Sequence, residues 1–173
     1  MFRLILTLCI ILSLTCSVLA QTEKLTGYRN LNWDTPLNSD FTNCTPNELY
    51  SLKQDILACK YKYDDKTYGY IDNAYVTYLF YNKKLIGVRI GIVNEILDAN
   101  IITNKYGKPY LDWGRIKTWH VGDTYIEYTS KGETRNKLTN EIISPVFSSV
   151  TYYNNAKYEE VTEKRIQQTY SNI

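Results

Sequence analysis

From residue 68 onward the chain switches between runs of period two and runs of period near 3.6, each closed by turn residues. Residues 84–93 are the clearest case. Ile86, Val88, Ile90 and Ile92 fall on one side, and Gly87, Arg89 and Gly91 on the other, a pattern that a strand produces and a helix does not. Residues 68–81 precede this run across Asn82-Lys83, a polar pair suited to a tight hairpin. Keeping apolar with apolar across that hairpin sets Ala74, Val76, Tyr78 and Phe80 with the isoleucines. Tyr75, Thr77, Leu79 and Tyr81 are left beside the glycines and Arg89. A second hairpin is predicted for 115–121 and 124–130 around Gly122-Asp123. A further strand is predicted over 142–153, with Pro145 confining its start to an edge or bulge.

Three stretches read as helices. Thr45 can cap, Pro46 has the preset φ of a first helical position and Glu48 can bond back to the cap. Leu49, Leu52, Ile56 and Leu57 follow at helical spacing, predicting a helix over 46–57. Asn94 can cap a second helix carrying Ile96, Leu97, Ile101, Ile102 and Tyr106, stopped by Gly107 and Pro109. Residues 155–170 form the third, with a narrow stripe (Tyr158, Val161, Ile166, Tyr170) and a favourable Glu160–Lys164 pair. Helix, hairpin, helix, hairpin, strand, helix predicts an α+β fold: an antiparallel sheet built from hairpins, with about three helices packed on one face.

The first twenty residues change the compartment. Arg3, the apolar run Leu4–Leu14 and the Val18-Leu19-Ala20 end match a cleaved signal peptide. The run is shorter than the ~20 residues a membrane span requires, and Leu14-Thr15 is a poor context for lipid attachment at Cys16. The reading is therefore a signal peptide over 1–20, one α+β domain over 21–173, no transmembrane segment after cleavage, and a periplasmic or secreted location. Cys9 and Cys16 leave with the leader. Cys44 and Cys59 remain, and in an oxidising compartment they most simply pair with each other. Neither a CxxC motif nor a second histidine supports the competing metal or thiol chemistry.

Composition narrows function mainly by exclusion. With 44% hydrophobic and 22% charged residues the chain has material for a core. Losing Arg3 leaves 19 basic against 18 acidic residues, a balance that argues against nucleic acid. His120 is the only histidine. Asp123, three residues on, can orient it, which gives a small hydrolase as a third-ranked reading, but no nucleophile is nominated. Asp64-Asp65 and Asp72 lack the spacing and the glycine of a calcium loop, and Asn43-Cys44-Thr45 is a formal glycosylation sequon with an awkward central cysteine. No metal site and no cofactor are expected. The surplus is tyrosine, 17 residues against 4 Phe and 3 Trp. Tyrosine is both a good strand former and a favoured interface anchor.

Tyr28-Arg29-Asn30-Leu31-Asn32-Trp33-Asp34-Thr35-Pro36, then residues 78–85, Tyr106-Gly107-Lys108-Pro109 and Trp119, resemble in order a group of small exported bacterial proteins that open with F/Y-R-x-I/L-x-W-x-T/S/P. Asp34 stands where that group usually has Gly. The resemblance implies an envelope location, and the group brings no catalytic residues and no established activity. The leading expectation is an exported, non-enzymatic protein that binds another macromolecule, in the manner of an inhibitor or immunity protein. A protein partner would be contacted through Tyr75, Leu79, Tyr81 and Arg89, with Trp33 and Trp119 in the core. The alternative is a small-ligand protein holding a sugar or lipid on an aromatic sheet face. A closed apolar cavity would favour that alternative, and an open face would favour a protein partner.

Overall fold

The computed structural model describes residues 25–47, 56–64 and 74–171. Along the chain run β1 (Gly27–Tyr28), β2 (Leu31–Asn32), β3 (Phe41–Pro46), β4 (Ile56–Tyr61), β5 (Ala74–Tyr81) and β6 (Lys84–Val93). Helix α1 (Asn100–Tyr106) is followed by β7 (Leu111–Asp112), β8 (Ile116–Val121), β9 (Thr124–Lys131), β10 (Thr134–Arg135), β11 (Ile142–Ser144), β12 (Phe147–Asn154) and α2 (Asn155–Ser171). Eight strands form one antiparallel sheet in the order β3-β4-β5-β6-β12-β9-β8-β7, and β1-β2 and β10-β11 are separate two-stranded pairs. Among the described residues, no helix is long and apolar enough to cross a membrane.

The protein is mostly β, with two helices among the described residues, and this corrects the expected α+β fold with about three helices on one face. The first expected helix, 46–57, does not span its predicted ends. Pro46 closes β3 and Ile56-Leu57 open β4, paired with each other across the two strands; residues 48–55 lie outside the described residues. Sheet pairing overrides local capping chemistry here. The second helix is cut to seven residues. Asn94 has φ +68° and cannot start a helix, and its N–H donates to the Val146 carbonyl instead. The next backbone groups are taken by sheet side chains: the Leu97 N–H donates to Ser148 Oγ (2.9 Å), and Ser148 and Tyr128 donate to the Glu95 and Leu97 carbonyls. Such bonds compete directly with a helical ladder. Gly107, at φ +84°, stops the helix as expected.

Both hairpins form about the turns the sequence predicts, with residues 68–73 of the first expected strand lying outside the described residues. Asn82 and Lys83 adopt φ +50° and +61°, the left-handed pair of a two-residue turn that matches strand twist, and Gly122 has φ +58°. The expected strand over 142–153 is divided at Pro145 into β11 and β12, and β12 lies in mid-sheet between β6 and β9. A bulge opposite Leu79 and Phe80 pairs them with Gly87 and Leu85. Ile86 is thereby turned out of the face of Val88 and packs with Leu79 and Tyr81, while Leu85 takes its place beside Phe80. One inserted residue suffices to reverse a side chain's face.

One side of the sheet is sealed by the N-terminal segment and α1. Tyr28, Trp33 and Phe41 pack on Tyr78, Phe80, Val88 and Ile90, and Ile102 packs with Trp119, Ile126, Tyr128 and Val150. The Trp33 indole N–H donates to Thr124 Oγ1 (3.2 Å) and that of Trp119 to the Gly107 carbonyl (2.9 Å), so both tryptophans are core residues. Asp34 adopts φ +66° and its N–H donates to the Leu85 carbonyl. Aspartate is one of the few residues other than glycine that visits this region readily. On the other side α2 covers only part of the sheet. Asn154 Oδ1 caps it at the Lys157 N–H, and Val161 with Tyr158 packs on Ile56, Leu79, Tyr81, Ile86 and Tyr153.

Cys44 and Cys59 are disulfide-bonded, with Cα atoms 4.1 Å apart. The bridge ties β3 to β4 at a break in their register. Closing a loop of this length contributes on the order of 3 kcal/mol by restricting the unfolded chain.

Candidate functional site

Where α2 stops covering the sheet, the same face continues as an open groove of about 880 Å³. Its lining comes from six adjacent strands, β3 to β9 in sheet order, a width of about 24 Å at the usual strand spacing. The register sets the floor in rungs. One runs Thr77, Arg89, Thr151, Glu127, and the next Tyr75, Gly91, Ser149, Thr129. Phe147 stands at the far end, and Thr45, Pro46, Asn47 and Ala58 form the wall on the β3–β4 side. Neighbouring rungs point the same way because side chains two apart on a strand share a face.

Hydroxyl-bearing side chains and one pair of opposite charges stand along this floor, among apolar surface from Pro46, Ala58, Phe147 and the Tyr75 ring. Arg89 Nε donates to Thr151 Oγ1 (3.4 Å). Glu127, two strands away, is half-buried, and among the described residues it receives no hydrogen bond and no ion pair. Loss of water pushes its carboxyl upward from the ordinary range, against a smaller downward pull from Arg89. Burial likewise raises the Tyr75 phenol, with Arg89 opposing. The phenol end of Tyr75 covers Gly91, where a Cβ would come within 2.2 Å of Tyr75 Cζ, so the glycine is filled by its neighbour's ring rather than left as vacant ground.

Of the four residues expected to make contacts, the structure brings Tyr75 and Arg89 together in this groove and separates them from the other two. Leu79 and Tyr81 are 0% and 3% exposed and lie under α2, with the Lys164 ammonium donating to the Tyr81 hydroxyl. Most of the described tyrosines serve packing. Tyr61 and Tyr78 ring Phe41 on one face, and Tyr125, Tyr153 and Tyr158 stack on the other. Glu127, Thr129, Ser149 and Thr151 escaped sequence reasoning. Their signal was the alternation Tyr125, Glu127, Thr129 in β9 and Ser149, Thr151 in β12, but nothing local places those strands beside β6.

His120 is exposed and sits between the rings of Tyr110 (5.1 Å) and Tyr125 (5.2 Å), both edge-on. Asp123 lies in the following turn, its carbonyl accepting the Asn155 N–H. Among the described residues no group of three or more His, Cys, Asp or Glu is placed to hold a metal ion. No family model matches the chain, nor does any curated protein or solved structure.

Proposed function

We propose that this is an exported, non-enzymatic protein that binds another macromolecule of the cell envelope, a protein partner, in the manner of an inhibitor or immunity protein, and that the open groove is the contact surface. The observation that carries the reading is a wide, open groove floored by hydroxyls and a separated Arg89/Glu127 pair on a rigid sheet. A width of about 24 Å accommodates about seven residues of an extended segment at ~3.4 Å each. The leader pattern in residues 1–20 and the disulfide support an oxidising, extracytoplasmic destination. Photo-crosslinking from position 77 in envelope extract, in the wild type and in Thr129→Trp, tests it. A cross-linked protein that disappears when the indole fills the groove is expected; a cross-linked set unchanged by Thr129→Trp removes the groove from consideration.

A small-ligand reading is favoured by one observation, a volume within the ~300–1,000 Å³ usual for such sites. The hydroxyl lining and the exposed Tyr75 ring suit a sugar better than a lipid. Calorimetric titration with neutral oligosaccharides separates the two, since a protein-binding groove gives no heat with them.

A further inference from the structure

We propose that the groove selects a polypeptide segment bearing a lysine or arginine side chain, whose cation seats on the Glu127 carboxylate. This rests on the groove being the contact surface and specifies what it recognises. Glu127 projects from mid-sheet, flanked in its rung by Thr118 and Thr151 and along its strand by Tyr125 and Thr129. The hydroxyls beside it offer dipoles but no charge. The opposite charge on this floor, Arg89, donates from Nε to Thr151 Oγ1. The Arg89 and Glu127 backbones are two strand spacings apart, about 10 Å.

Half-buried carboxylates are ordinarily satisfied by hydrogen bonds or paired charge, because desolvation of an unpaired charge costs heavily. A protein that retains one facing an open groove holds it at a cost to its own stability, a common mark of a binding position. An incoming ammonium or guanidinium supplies the missing donors, and a charge-assisted bond in a partly dry groove is a strong one.

Selection of a phage-displayed heptapeptide library on the mature disulfide-bonded protein, followed by titration of synthetic copies of the enriched peptides, tests the assignment. The expected result is a shared lysine or arginine whose replacement by norleucine weakens binding at least tenfold. Glu127→Gln should weaken the parent peptide by a similar factor and leave the norleucine peptide unaffected, as a double-mutant cycle requires. Binding that is abolished by Thr129→Trp but stays within twofold in Glu127→Gln overturns the charge assignment while leaving the groove in place. Enriched peptides indifferent to Thr129→Trp, or no enrichment at all, overturn both.

Discussion

Gly87 and Gly91 occupy the same face of β6, each beneath a tyrosine ring, yet their tolerance of a side chain should differ. A Cβ at Gly87 meets the buried Tyr153 ring at 2.8 Å and the Tyr152 backbone carbonyl at 2.9 Å, and a backbone atom cannot step aside. At Gly91 the obstacle is Tyr75 alone, which is 43% exposed and can swing into solvent. Gly87→Ala is expected to cost about 1–3 kcal/mol as an overpacked core position, and Gly91→Ala less, with loss of the ring from the groove. Urea denaturation of both variants checks the order. At this scale much was legible. Alternation named the residues of β6, and the hairpin placed Tyr75 and Arg89 on one face. The exception was Ile86, because a bulge leaves no trace in an alternating pattern until the pairing is known.

Helix α2 was legible as an element because its period and length are local properties. Its inward stripe is short, with Tyr158 and Val161 supplying the contact to Ile56, Leu79, Ile86 and Tyr153. Val161→Ala is expected to lower stability by about 2 kcal/mol, from two methyl groups lost and a partly unfilled space. Thermal unfolding followed by circular dichroism measures it, and the tryptophan emission of the native state should not move, since Trp33 and Trp119 lie across the sheet and Trp113 is exposed between β7 and β8. The described ends of the other two expected helices were misread for non-local reasons. Ser148 and Tyr128, 51 and 31 residues from Leu97 in sequence, claim the backbone that would have begun α1. Likewise, the pairing of Pro46 with Leu57 makes strands of both ends of the stretch whose spacing looked helical.

Across the whole molecule, the sheet has one face sealed and the other divided between α2 and the groove, and this division was not readable from the chain. It depends on β12 sitting between β6 and β9, a long-range pairing that sets Ser149, Thr151 and Glu127 beside Arg89. The electrostatic consequence is measurable. Glu127 has a folded pKa above its unfolded value of about 4.3, through desolvation, with Arg89 and Tyr125 the charged or titratable groups near it. The folded state therefore holds this proton to higher pH than the unfolded state does. The group's contribution to stability is fully present below pH ~4 and is lost as pH rises through the folded value. Glu127→Gln should match the wild type near pH 4 and be the more stable protein at pH 7, a gap that opens across that window in parallel denaturant titrations. The disulfide carries a different consequence, one of timing. Thr45 and Pro46, which wall the groove, belong to an edge strand fastened to the sheet by Cys44–Cys59. Before oxidation the floor can exist without its fixed wall. A nascent chain in a reducing compartment is thus expected to be latent, with recognition maturing only when the thiols are joined.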